Sequence, residues 1–463
     1  MKLKIDNFST GVRADKSEGV LNISVADTIS NLKIENGSIR VVSDMAVNQT
    51  ITNLLSGKSL VGASIFIYKR YDESLKKYEN ILLFFDADHV GYYYKFGGED
   101  TELTPLGLTF KATPMALNYR LNGKDVIIIS SSKDCMVVWD SVNPPEMILD
   151  APKPKSMVIH YERLFSVSAG GDETEIKFSD DLDPTNWSES VADAGFISLV
   201  DERGKLLKLV SFSDYLYVFR EHGISRVYAN TALTTSFYVN HLFVSGGRVL
   251  ENTIMLAGDR VIFLATDGFY YFDGGDTRKI LTNIFDKIRF TGKECAGFFN
   301  GKYYLACNFN FGDEFDGKNN CVISVRVSDL SVEILRFGEV ADFATITTDT
   351  ETKLLVLTTN PDKAVIDISS TKNASPMVLN GEFKSVLYDF DNIDEVKTIR
   401  YIKTDSVGIG TIGLYNENGE MVSFDTADTN KKVGLLFSGR KIGLIVGSAD
   451  KDFKLISIVL GGN

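Results

Sequence analysis

The chain has 463 residues, 44% hydrophobic and 24% charged, enough ordinary globular material for one large core or two to three smaller ones. A formal charge of −13 argues against general affinity for phosphate backbones or anionic lipid, while enzyme, binding module and structural part all stay open. No run of 18 or more apolar residues is present, and the start from Met1 to Gly11 lacks a secretory apolar stretch, so a soluble, cytosol-made protein with no membrane partner is expected.

Residues 1–45 read as an N-terminal arm and hairpin. Leu32-Lys33-Ile34 and Ile39-Arg40-Val41 flank Asn36-Gly37, a tight-turn dipeptide. The part before them holds Ile5, Phe8, Val12 and Leu21, more apolar than a solvated tail requires, and is expected to gain order by lying on something else.

Residues 46–378 repeat. Four-residue apolar cores start at Ile81, Val126, Leu164, Leu216, Val261, Tyr303 and Leu354, spaced 38 to 52 residues apart. Most follow a turn, such as Asn122-Gly123 or Asn300-Gly301, and each precedes another run: Tyr92–Phe96, Met136–Trp139, Ile176–Phe178, Ile224–Tyr228, Phe269–Phe272, Val322–Val325 and Ala364–Ile368. Between Leu264 and Phe269, Asp267-Gly268 is expected to supply the positive φ of a hairpin. Such units match the four-stranded blades of an all-β propeller. A set of β-sandwiches also suits frequent turns, but a closed ring protects every sheet edge and fits the period better. The blade count is six or seven, depending on whether residues 60–100 close with the N-terminal hairpin. Thr52 to Leu60 and Asn283 to Ile288 form at most one or two helical turns each.

Residues 379–463 change rhythm. Strand candidates at Val396–Lys403, Gly408–Tyr415, Met421–Phe424, Lys432–Phe437, Lys441–Gly447 and Phe453–Leu460 suit a small C-terminal β-sandwich, the rival being a sheet continued into the propeller.

The chemistry of the sequence is quiet. Cys135, Cys295, Cys307 and Cys321 are unevenly spaced in strand-like runs, which favours free thiols over disulfides or a zinc site. His89, His160, His222 and His241 lie far apart, and no nucleophile elbow, P-loop or dinucleotide fingerprint is visible. Asp86 and Asp88 beside His89 offer carboxylates to a divalent ion, yet Asp at a strand junction is first a turn former; Gly312 to Gly317 reads as a solvated hairpin tip. Asp140, Asp180 and Asp273 end comparable strands, as paired carboxylates would in a channel glycosidase, but turn capping accounts for the recurrence. The aromatic stripes Tyr92 to Tyr94 and Tyr270 to Phe272 suggest sugar stacking, although alternation sends every second ring into a blade interface. No catalytic, cofactor-binding or metal residue is assigned, and no enzymatic activity is expected.

Four segments in order resemble the β-propeller tail proteins of tailed bacteriophages. The opening is similar through Asn7-Phe8, Gly11, Ala26 to Asn31 and Asn36-Gly37-Ser38-Ile39-Arg40. A second unit is carried by Arg163-Leu164, Phe178-Ser179-Asp180 and Asp183-Pro184-Thr185-Asn186-Trp187, a third by Leu216 to Ile224, and a fourth by Asn252-Thr253-Ile254 with Phe263 to Tyr270. The chain departs from relatives at Gly246-Gly247-Arg248, where a Gly-Cys is frequent. Kelch and WD repeats fit less well, since Trp139-Asp140 stands alone.

The resemblance implies a virion protein of the head-completion, DNA-stabilisation or tail-nozzle type, assembled in the host cytoplasm. Its partners would be copies of itself in a symmetric, six-fold ring, neighbouring tail, adaptor or portal proteins, and genomic DNA passing without sequence-specific binding. The competing expectation is a receptor- or glycan-binding propeller, for which aromatic and carboxylate residues should recur at one offset in several blades.

Overall fold

Each of the seven apolar cores lies on the second strand of an antiparallel sheet: Lys77–Phe85, Lys124–Ser131, Arg163–Ser168, Tyr215–Arg220, Val261–Ala265, Lys302–Phe309 and Thr352–Thr358. The runs that follow them lie on the third strands. Second strands have sheet neighbours on both edges and blades on both faces, so Ile81 to Phe85 and Val261 to Ala265 are wholly buried. These relationships come from a computed structural model that describes residues 2–8, 26–98, 101–168, 173–189, 193–230, 233–348, 350–370 and 375–462.

The sheets span residues 64–109, 114–148, 154–198, 206–244, 255–280, 288–335 and 340–369, blades one to seven. Blade one has four strands of its own. Blade seven has three, and its fourth is Met45–Val47, paired antiparallel with Val365–Ser369 so that Met45 faces Ile368 and Val47 faces Ile366. The first strand of blade seven, Val340–Thr347, packs on that of blade one, Ser64–Asp72, and the circle closes. The chain is therefore a seven-bladed β-propeller, closed by a strand from near its start.

Asn122-Gly123 and Asn300-Gly301 take positive φ at both residues, the hairpin turn expected of Asn-Gly. Asp267-Gly268 does not: neither residue has positive φ, Gly268 already pairs with Ala265, and the turn residues are Thr266 and Asp267. Asp267 acts through its side chain instead, accepting from Tyr270 Oη at 2.8 Å and from Lys279 Nζ at 3.0 Å.

Tyrosines staple one blade to the next. Tyr68 Oη donates to Asp125 O at 2.7 Å, Tyr119 to Glu162 O at 3.2 Å, Tyr161 to Asp214 O at 2.8 Å and Tyr217 to Gly274 O at 3.1 Å. Tyr303 reaches back to Thr253 O at 2.8 Å. The rings of Tyr68, Tyr119, Tyr217 and Tyr303 are buried in the seams between blades, and all five hydroxyls satisfy backbone carbonyls, four of them in turns.

The six C-terminal runs are strands of a two-sheet sandwich, with a further strand at Gly381–Ser385. The N-terminal residues lie on it. Lys2–Ile5, Leu32–Glu35 and Ser38–Val41 extend one sheet, and Ala26–Ser30 pairs with Gly381–Ser385 in the other. Phe8 is fully buried edge-on to Phe383, with ring centroids 5.8 Å apart. Val12 and Leu21 lie outside the described residues. Short helices occur at Gln49–Leu54, where Asn48 Oδ1 caps Ile51 N, and at Thr282–Phe285.

Candidate functional site

First strands surround the propeller axis, and three carry a bulge near their start: between Pro154 and Ser156, Leu206 and Lys208, and Val340 and Asp342. An extra residue there re-aims the side chains that follow. Charged groups gather where these strands begin. Lys155 pairs with Glu251 at 3.0 Å, and Lys208 Nζ donates to Ile254 O at 2.8 Å, joining blade four to the approach to blade five. Asp342 Oδ2 accepts from Ile65 N at 3.0 Å and Oδ1 from Phe343 N at 2.8 Å, so this carboxylate joins blade seven to blade one at the closure.

Burial dominates the electrostatics of these groups. It raises the Asp342 carboxyl to about 6 against the pull of two backbone N–H groups and Lys208, and lowers the Lys208 ammonium to about 8 against Glu251 and Asp342. It also pushes the Cys295 thiol well up, as its Sγ points to Ala341 O at 3.6 Å. The arrangement is an acid and a base, each poised to change charge within about a unit of neutrality, on strands that line one axis. Neither was singled out in the sequence, where the available signal is a lone charge inside an apolar run: Leu206-Leu207-Lys208-Leu209-Val210 and Val340-Ala341-Asp342-Phe343-Ala344.

A second charged cluster holds blade four. Arg220, fully buried, donates to Asp201 Oδ2 at 2.8 Å and to the carbonyls of Leu199 and Gly204. His241 Nε2 lies 3.3 Å from Asp201 Oδ2, and His241 Nδ1 lies 2.9 Å from Ser225 Oγ. The order serine, histidine, aspartate is that of a nucleophilic triad, but Ser225 is wholly buried and Asp201 is already matched by Arg220. Its geometry is that of a clamp between the loop at 199–205 and the blade.

The carboxylates considered for glycosidase chemistry are dispersed over three blades and occupied. Asp140 Oδ1 accepts from Val142 N and Asn143 N at 2.9 and 2.8 Å, and Asp273 Oδ1 from Gly275 N and Asp276 N at 3.1 and 2.8 Å. For Asp140 these bonds outweigh burial, and for Asp273 they lead; both carboxyls sit below the ordinary range. Asp180 Oδ1 accepts from Asp181 N at 2.8 Å and Asp193 N at 3.2 Å. Asp86 Oδ1 accepts from Asp88 N and Val90 N, as a turn former does. Among the described residues no group of three His, Cys, Asp or Glu is close enough to hold a metal ion. The four cysteines are free thiols. Tyr93 packs 5.0 Å from Trp139 of blade two and Phe272 packs 4.9 Å from Tyr217 of blade four, so both stripes enter blade interfaces.

The segments that carry the phage-tail resemblance form joints. Arg163 Nη1 donates to Ser179 O and Asp193 O, Ser179 Oγ accepts from Leu164 N, Asp183 Oδ1 accepts from Thr185 N, and Trp187 Nε1 donates to Pro184 O. Asn31, at φ 55, binds the backbone of Ile334, Arg336 and Asn380 and ties the sandwich to blade six. A cleft of about 290 Å³ between sandwich and blade seven is lined by Lys33, Arg40, Asp44, Ser370, Lys451 and Asp452, among others, with cations and carboxylates interspersed.

No protein-family model and no curated protein matches the chain. Solved structures that it is similar to include BBS1N in complex with ARL6DN, at 12% identity and TM-score 0.45 over 72% of this chain and 100% of that one. The extracellular domain of a one-component system from B. thetaiotaomicron matches at 9% and 0.41 over 89% of this chain, and Chaetomium thermophilum Raptor at 9% and 0.40 over 69%. The match spans 59% of the former chain and 29% of the latter. Likeness at this level carries no argument about function.

Proposed function

We propose that the chain is a structural protein of a bacteriophage tail, forming a symmetric, six-fold ring that extends or closes the DNA channel below the portal and adaptor and retains packaged DNA until ejection. One observation supports this reading above others: the residues that resemble phage tail propellers are spent on holding backbone. Arg163, Ser179, Asp183 and Trp187 knot one blade, Asp267 braces another, and Asn31 fastens sandwich to propeller. A motif built of joints suits a rigid block in an assembly, and a heterologous interface between copies closes such a ring. The charge of −13 would let DNA pass without being gripped.

The test is a mass-spectrometric inventory of purified virions with symmetry-resolved imaging of the tail. The chain is expected in stoichiometric, ring-forming copy number. Particles that eject normally and lack it would sink the reading.

A further inference from the structure

Blade five is too short to cover blade four. Its strands have 2, 5, 5 and 4 residues, whereas those of blade four have 7, 6, 8 and 12. Where the two overlap, Val210, Tyr217 and Phe219 pack into one apolar cluster with Val261, Phe263 and Phe272. The cover stops at the turn 273–276. There Gly274, at φ 99, sits so close to Tyr217 Oη and Phe212 that a Cβ would meet them at 2.9 and 3.3 Å.

Beyond that turn the same face continues as an aromatic overhang. Tyr217 is paired across the sheet with Arg226 and Arg226 with Asn240, while Tyr228 faces Tyr238. The rings of Tyr215 and Tyr228 lie 6.1 Å apart and those of Tyr228 and Tyr238 5.5 Å apart. The Arg226 guanidinium stacks 4.6 Å from the Tyr215 centroid, and its Nε finds no hydrogen-bond partner among the described residues. Tyr238 is 52% exposed, and Asp214, Asn240, Asp273 and Asp276 stand exposed nearby. Tyr238 lies open beside an exposed amide and carboxylates, while Tyr215 and Tyr228 are half-buried behind it, Tyr215 packing against the cluster between blades four and five.

We propose that this overhang binds carbohydrate, with Tyr238 and the accessible part of Tyr228 stacking on a sugar ring and Asp214 and Asn240 taking its hydroxyls. A pyranose offers an apolar C–H face to a π-surface and a rim of hydroxyls to acceptors, which is the pairing of chemistries this patch presents. The carboxylate rim repels nucleic acid. The site does not depend on the tail reading: it would serve attachment in a virion and recognition elsewhere.

The experiment is affinity electrophoresis of the full chain through gels holding dextran, mannan, galactan or lipopolysaccharide O-polysaccharide, with calorimetry on any polymer that retards it. Retardation by at least one polymer is expected, weakened tenfold or more in Tyr238→Ala, kept in Tyr238→Phe, and unchanged in Tyr71→Ala, an exposed tyrosine on blade one. The pattern over the four polymers separates a bacterial surface glycan from a generic neutral polysaccharide. Passage unretarded through all four, or equal retardation of Tyr238→Ala and the parent chain, overturns the proposal.

Discussion

The Asn31 carboxamide and the Arg336 peptide hold each other in both directions: Nδ2 donates to Arg336 O at 3.0 Å, and Arg336 N donates to Asn31 Oδ1 at 2.6 Å. The same side chain donates to Asn380 O at 2.9 Å, and Asn31 N to Ile334 O at 2.8 Å. One buried residue thus ties together the sandwich, the end of blade six and the segment leading back to the sandwich. Its φ of 55 is one that Asn tolerates and Gly adopts freely, so Asn31→Gly deletes the side chain without straining the backbone. That variant should lose about 2–4 kcal/mol of stability, because buried donors and acceptors are left unpaired. Urea denaturation reads it, and a loss under about 0.5 kcal/mol would place the joint elsewhere.

Propeller closure rests on a three-residue strand. Met45 is buried within the cluster that holds Val356, Ile366 and Ile368. Met45→Ala should cost about 2–4 kcal/mol as a cavity opens in blade seven, whereas Met147→Ala on an exposed outer strand should stay within about 0.5 kcal/mol. Equal effects of the two, measured by thermal unfolding, would mean that closure adds little.

How much of this was legible in the sequence differs by level. The second and third strands of every blade could be read because burial demands continuous apolar runs, and turn residues, Asn-Gly in blades two and six, precede most of the second strands. The closing strand could not: Met45-Ala46-Val47 is short, and its partner is more than 300 residues away. Nor could the N-terminal strands be assigned to the C-terminal sandwich, since pairing over that distance leaves no local pattern. Asp267-Gly268 misled because Asp-Gly is a turn signal in two ways, through φ and through the carboxylate, and here the carboxylate acts. The tyrosine overhang was invisible for a similar reason. It arises from the mismatch in length between two neighbouring blades, and the stripes singled out by sequence, Tyr92 to Tyr94 and Tyr270 to Phe272, pack between blades instead.

Arg220 and Asp201 give a test of the blade-four clamp. Removing the carboxylate strands a guanidinium that is wholly buried, and breaking one side of a buried pair typically costs about 3–5 kcal/mol. Asp201→Ala should therefore destabilise by that amount. Arg220→Met, which withdraws the charge and keeps the stem, should cost less. The reverse order, by urea denaturation, would show that the pair is not the element holding the 199–205 loop.

Asp342 makes stability depend on pH with a sign opposite to that of the surface carboxylates, whereas Lys208 acts with the same sign as theirs. Burial lifts Asp342 from its ordinary 3.8 to about 6, so the folded state binds its proton more tightly than the unfolded chain. The stabilisation is complete below pH 3.8 and is lost as pH rises through about 6. Lys208 is lowered from 10.5 to about 8, so its contribution is complete above pH 10.5 and is lost as pH falls through about 8. Between those values both groups are charged on the axis, and together they set a shallow minimum. Asp342→Asn abolishes the acid limb while keeping one amide acceptor for the Ile65 or Phe343 N–H. The stability of the parent chain relative to this variant should therefore grow as pH falls from 7 to 4, by on the order of 2 kcal/mol less what water in the channel screens. Thermal midpoints for both proteins across that range decide it: parallel curves would mean that Asp342 ionises as it does in the unfolded chain.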